Sequence, residues 1–122
     1  FYASDWDNRV LNTARENFQK MNFENIIHLK KQNALKLPPP NNKQKGIIIC
    51  NPPYGVRLGE EEKLKELYRE YGENLKKNFK GFRAYIFTGN MNLRKQISLS
   101  TSKRIPLFNG TIECRLLKYD LY

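Results

Sequence analysis

Histidine, cysteine and tryptophan are scarce in this chain, whose 122 residues include one His, two Cys and one Trp. Cys50 and Cys114 are far apart, neither belongs to a CxxC pair, and with the single His28 they cannot build a zinc framework. Both are expected to be buried free thiols, and no metal is expected. No apolar run is long enough to span a bilayer and no signal-peptide pattern is present, so no membrane partner is expected and a reducing cytoplasm is the simplest setting. The first residue is Phe1 rather than Met, and residues upstream of it are expected. No internal repeat competes with a single-domain reading.

Acidic residues are also few. Twelve Asp and Glu stand against 22 Lys and Arg, a formal charge of +10. A balance that basic favours a polyanionic partner, with nucleic acid the first candidate. Lys63, Lys65, Lys76 and Lys77 lie at helix-flank positions where charge serves mainly solubility. Arg94-Lys95 and Lys103-Arg104 are the pairs with more weight as phosphate contacts.

Against that background the chain alternates strand and helix patterns. Phe1 to Asp5 reads as a strand end, followed by Trp6 and a helix capped by Asp7, with Val10, Leu11, Ala14, Phe18 and Met21 on one face. Asn25 marks a break before a second strand from Ile26 to Lys31, whose carboxyl end carries Gln32-Asn33-Ala34. Leu37 to Asn42 is a loop on composition. The β-branched run Gly46-Ile47-Ile48-Ile49-Cys50 reads as a buried strand, and Glu60-Glu61-Glu62 opens a helix with Leu64, Leu67, Tyr68, Tyr71, Leu75 and Phe79 in a core stripe. Phe82 to Thr88 is a further strand, followed by a short helix with Met91, Leu93 and Ile97. Lys103 to Phe108 and Thr111 to Tyr122 bracket Asn109-Gly110, a strong hairpin signal. The expected class is α/β, a mostly parallel sheet closed by a C-terminal antiparallel hairpin.

The most informative tetrapeptide is Asn51-Pro52-Pro53-Tyr54, directly after the isoleucine strand. Neither proline can donate to a ladder, so the strand must end there, at the sheet edge where α/β proteins bind ligands. Asn51 offers a carbonyl oxygen and Pro52 a backbone carbonyl, two acceptors able to grip a planar amino group. Pro53 fixes the loop, and Tyr54 supplies a flat face for a base or amide. Asn51, Pro52, Pro53 and Tyr54 are therefore the candidate catalytic residues, with Tyr54 and Arg57 as substrate contacts. Asp5, at the first strand's end, is placed to accept hydrogen bonds from a ribose diol, with Trp6 against an adenine.

Asn51-Pro52-Pro53-Tyr54 resembles the signature of S-adenosylmethionine-dependent methyltransferases that modify exocyclic amino or amide nitrogens. The continuation Gly55-Val56-Arg57-Leu58-Gly59 and the tail Leu107 to Arg115 resemble the RNA methylase family formerly described as N6-adenine-specific DNA methylases. That family includes the bacterial enzymes forming N2-methylguanine in large-subunit (23S) ribosomal RNA, and the resemblance runs from Phe1 to Tyr122. It implies a Rossmann-like methyltransferase fold, S-adenosylmethionine as cofactor and RNA, ribosomal RNA above all, as partner. It also implies cofactor contacts from Asp5, Trp6, Asn33, Ala34 and Asn51, with Asn33 where the family commonly has an aspartate receiving the adenine amino group.

Methyltransferases of this fold place a glycine-rich turn after their first strand, and none occurs here, since Gly55 and Gly59 follow the catalytic motif. Residues 1–122 are thus expected to be a partial catalytic domain from the second strand onward, lacking the first strand and its loop, inactive and poor at binding cofactor alone. Adenine N6 in DNA and a glutamine amide in a protein release factor remain alternative acceptors for the same tetrapeptide. A catalytically inert, basic nucleic-acid-binding domain is the alternative of another class. Target nucleotide and oligomeric state are not legible.

Overall fold

The computed structural model describes residues 1–40, 44–55 and 60–122. Two compact units divide the chain, Phe1–Pro40 and Asn41–Tyr122.

In the first unit, β1 (Tyr2–Asp5) and β2 (His28–Lys31) pair in parallel, with Ala3 opposite Leu29 and Asp5 opposite Lys31. Helix α1 (Asn8–Lys20) connects them, and Asp7 caps it by accepting a hydrogen bond from the Arg9 N–H at 2.8 Å. The helix ends at Lys20 and the chain breaks at Asn22, before the expected break at Asn25. Asn22 adopts φ +58°, and the Phe23 N–H reaches back to the Phe18 carbonyl at 2.8 Å while the Asn22 N–H reaches Gln19 at 3.1 Å, a Schellman closure. Leu11 is buried and Ala14 and Phe18 are half-buried, but Val10 and Met21 are exposed. Val10 is turned about 100° from Leu11 on the helix, and Met21 lies past its last residue, so neither joins the expected stripe.

The second unit is built on a four-stranded sheet in the order β3-β4-β6-β5. Strand β3 (Ile47–Cys50) runs parallel to β4 (Arg83–Thr88), while β6 (Ile112–Asp120) is antiparallel to both β4 and β5 (Lys103–Asn109). The register places Ala84, Ile86, Thr88, Leu117 and Tyr119 on one face, and all five are buried. Helix α2 (Glu61–Asn78) meets that face through Tyr68, whose hydroxyl lies 3.1 Å from Oγ1 of Thr88. Tyr68, Tyr71 and Leu75 of the expected stripe are buried, as is Phe79 at the helix C-cap. Helix α3 (Met91–Gln96) is capped by Asn90, whose side chain accepts from Asn92 and Leu93, and it buries Leu93.

The opposite face carries Ile47, Ile49, Tyr85, Phe87, Leu116 and Ile105, all half-buried or exposed. Strand β3 is consequently not the buried strand its composition predicts: Ile47 is 57% and Ile49 78% exposed. It is an edge of its sheet among the described residues, and its outward-alternating isoleucines lie on the less covered face. The closing hairpin forms as expected, but its loop is Gly110-Thr111, because Asn109 still pairs with Ile112. Gly110 has φ +60° and Thr111 does not enter that region, the pattern of a type II′ turn.

Candidate active site

Strand β3 delivers its carboxyl end straight into Asn51-Pro52-Pro53-Tyr54. Pro52 is buried, Tyr54 half-buried, and Asn51 and Pro53 are exposed. All four residues line one cavity of about 420 Å³, together with Gly55, Glu60 and Ile112. That volume falls in the range of small-ligand sites. Gly55 has φ +51°, and a Cβ there would lie 2.8 Å from Cδ1 of Leu64, so the turn out of the motif requires glycine. Arg57 lies outside the described residues.

Tyr54 is held at both ends. Its hydroxyl accepts a hydrogen bond from Nδ2 of Asn109 at 2.6 Å, and Sγ of Cys114 is 4.0 Å from the same oxygen. The ring edge lies over Gly89, where an added Cβ would be 3.0 Å from Cε2. A tyrosine in a proline turn is thereby fixed by strand β4's exit and by the β5–β6 hairpin.

Four of these contributors escape a sequence reading. Asn109 looks like a turn residue, Gly89 like a strand terminator, Glu60 like favourable charge at a helix start, and Ile112 like an ordinary strand residue. Cys114 is buried and free, as expected, whereas Cys50 is half-buried.

In the first unit, the expected cofactor residues stand at the adjacent carboxyl ends of β1 and β2. One carboxylate oxygen of half-buried Asp5 accepts from the Asp7 N–H at 2.8 Å, which orients the group and leaves Oδ2 available to a diol. Oδ1 of Asn33 accepts from the Leu35 N–H at 2.9 Å, so the oxygen expected to receive an adenine amino group already closes a local turn. A second lone pair on that oxygen and the amide N–H bonds remain, and these suit the donor and acceptor edge of adenine. Trp6 is 69% exposed, with the Lys31 ammonium 5.7 Å from its ring centre. Ala34 is exposed beside Asn33. These side chains fit the nucleoside part of S-adenosylmethionine.

Among the described residues no three His, Cys, Asp or Glu side chains cluster as metal ligands, and no helix is long and apolar enough to cross a membrane. Lys65 and Lys76 pair with Glu62 and Glu73 along α2. Lys103 and Arg104 are exposed on β5, and the positive charges of Arg94 and Arg104 both act on the buried Tyr119 hydroxyl.

Residues 1–118 match the family described as RMKL-like, methyltransferase domain (UPF0020). The chain belongs to that family. The family assignment agrees with the resemblance carried by Asn51-Pro52-Pro53-Tyr54. Protein slr0064 of Synechocystis sp. is 44% identical over 99% of this chain and 31% of its own length. Ribosomal RNA large subunit methyltransferase K/L of Methylococcus capsulatus is 37% identical over 96% of this chain and 16% of its own. The chain thus spans a third or less of the length of these curated relatives. Among solved structures, the crystal structure of SMU.472 complexed with SAH superimposes with a TM-score of 0.91 at 27% identity, covering 100% of this chain and 32% of that one. The methyltransferase fold expected from the sequence is therefore the fold of this RMKL-like chain.

Proposed function

We propose that this RMKL-like domain takes part in S-adenosylmethionine-dependent methyl transfer to the exocyclic N2 of guanine in large-subunit ribosomal RNA. The observation that carries this reading is the shared cavity formed by Asn51, Pro52, Pro53 and Tyr54 at the end of β3, with the Tyr54 ring anchored beside it.

S-adenosylmethionine supplies a methyl group already activated on a sulfonium centre, so the protein has little acid or base work to do. Asn51, through its side-chain oxygen, and Pro52, through its backbone carbonyl, accept the two amino N–H bonds and orient the nitrogen lone pair for attack. The new N–C bond forms as the S–C bond breaks, and the nitrogen then releases one proton to solvent. Tyr54 offers its face to the base. Asp5 holds the ribose diol of the donor, and Asn33, Ala34 and Trp6 border its adenine.

Guanine rather than adenine is supported by Glu60 on the cavity wall. Beside its amino group guanine presents an N1–H donor, which a carboxylate accepts, whereas adenine presents a lone pair that a carboxylate repels. The charge of +10 supports RNA over a protein acceptor. Cytoplasmic action on ribosomal RNA follows from the same reading.

The test presents unmodified ribosomal RNA, DNA and a release factor to the active methyltransferase that carries this chain, with methyl-labelled S-adenosylmethionine. N2-methylguanine from ribosomal RNA is expected, together with its loss in Asn51→Ala. Label in DNA or release factor instead, or full turnover by Asn51→Ala, overturns the reading. Residues 1–122 alone are expected to be inactive, because a glycine-rich cofactor turn is absent from them, and tight cofactor binding by that isolated segment in calorimetry contradicts this.

A further inference from the structure

Asn109 has a side chain with no local employment. An Asn-Gly pair at a hairpin ordinarily places asparagine in the turn, where it tolerates a left-handed backbone. Here the left-handed residue is Gly110 at φ +60°, and Asn109 sits one position earlier, a strand residue paired with Ile112. The turn needs nothing from its amide. That amide is instead directed at a residue 55 positions away, donating to the Tyr54 hydroxyl at 2.6 Å.

We propose that Asn109 is a positioning residue for methyl transfer, holding the Tyr54 hydroxyl so that the ring keeps one orientation at the wall of the Asn51-Pro52 cavity. The proposal rests on the methyl-transfer reading above.

The surrounding contacts make the tether specific. Gly89 supplies space under the ring edge, with a virtual Cβ 3.0 Å from Cε2 and 3.2 Å from Cδ2 of Tyr54. Sulfur of the buried Cys114 lies 4.0 Å from the hydroxyl oxygen. Seated on its edge and held at its tip, the ring cannot swing about χ1 without giving up both contacts. Ile112, directly across the hairpin from Asn109, lines the same cavity. The hairpin tip therefore furnishes both part of the cavity wall and the bond that sets the aromatic platform.

Asn109 itself is exposed, so the bond competes with water and adds little to folding. Its consequence is expected in the orientation of the acceptor base, to which transfer rates are steeply sensitive.

The experiment compares Asn109→Ala, Asn109→Asp, Tyr54→Phe and the Asn109→Ala/Tyr54→Phe double variant in the active methyltransferase, with unmodified ribosomal RNA as acceptor. Asn109→Ala is expected to lower kcat by about tenfold with the KM for S-adenosylmethionine unchanged. Asn109→Asp should recover most of that loss, since the tyrosine hydroxyl can donate to a carboxylate. The double variant should be no slower than Tyr54→Phe, because the hydroxyl that Asn109 holds is already gone. Wild-type kcat in Asn109→Ala overturns the proposal, as does a double variant whose losses multiply. A lowered unfolding midpoint in Asn109→Ala without recovery by Asn109→Asp also overturns it, in favour of a purely structural tie.

The tether is read independently of turnover by NMR of labelled tyrosine, where Asn109→Ala should shift and average the Tyr54 ring signals and Asn109→Asp should not. Unchanged ring signals in Asn109→Ala refute the tether, whereas full turnover by Asn51→Ala refutes the methyl-transfer reading.

Discussion

A methyl group on Gly89 would sit 3.0 Å from Cε2 and 3.2 Å from Cδ2 of Tyr54, closer than carbon atoms pack without displacement. The same methyl would be 3.3 Å from the sulfur of Cys114, so it has no direction in which to yield freely. Glycine at the end of β4 is thus spacing for the aromatic ring of the preceding strand's exit loop. Gly89→Ala is expected to push the ring by a few tenths of an ångström and to lower methyl transfer about tenfold. Unfolding should cost about 1 kcal/mol, the low end of overpacking, because Gly89 is only half-buried and its φ is not in the left-handed region. Steady-state kinetics and thermal unfolding of the variant check both parts.

Glu60 lies on the cavity wall without a side-chain hydrogen bond to the helix it caps, and this makes the base preference testable. An RNA fragment bearing 2-aminopurine at the mapped target keeps the exocyclic amine but replaces the N1–H by a lone pair. The parent protein should prefer guanine over 2-aminopurine by about 10- to 100-fold, the range of one well-made base contact. Glu60→Gln, whose amide can donate to that lone pair, should bring the two substrates within about threefold of each other. An unchanged preference in Glu60→Gln removes Glu60 from base discrimination.

Gly72 sets intrinsic helix preference against packing. Alanine at an interior helical position ordinarily gains about 1 kcal/mol over glycine. At position 72 of α2, however, its Cβ would lie 2.4 Å from the carbonyl oxygen of Ile97 and 2.9 Å from that residue's Cα, backbone atoms at the end of α3. Packing should win. Gly72→Ala is expected to destabilise the protein by about 1–3 kcal/mol, measured by denaturant unfolding. A gain in stability would mean that α3 moves freely away from α2.

What the sequence discloses follows from the range over which its causes act. Two prolines after an isoleucine run stop a strand locally, so residue order alone places Asn51 to Tyr54 at a strand end. The Asp7 cap and the Tyr68, Tyr71, Leu75 and Phe79 stripe are legible for the same reason. The bond from Asn109 to Tyr54 joins residues 55 apart, and the Asn-Gly signal points to a turn role that Gly110 takes instead. The exposure of Ile47 and Ile49 depends on strand order and on what covers each face, neither of which composition encodes. The strand-end position of Asn33 is legible too, but its engagement with the Leu35 N–H is a side-chain geometry that residue type alone leaves open.

Three buried tyrosines set the alkaline limit of the fold. Burial pushes the Tyr68 hydroxyl up to about 12, against a lowering by its hydrogen bond with Thr88, and burial likewise pushes Tyr119 up to about 12 against the charges of Arg94 and Arg104. Tyr71 is driven up further, again by burial, with Cys50 adding to it. In the unfolded chain each would release its proton near the ordinary value of about 10. Between about pH 10 and 12 the unfolded state therefore binds fewer protons than the folded one, and stability falls as pH rises, by at most about 1.4 kcal/mol per pH unit for each tyrosine. Below about pH 9 the three groups contribute no slope. Denaturant unfolding at pH 8 to 11 should show a flat region and then a steep decline. Tyr68→Phe should start less stable at pH 8, having lost the Thr88 bond, yet decline more gently above pH 10 because one titrating group is gone. An identical alkaline slope in Tyr68→Phe would show that Tyr68 does not hold its proton in the folded state.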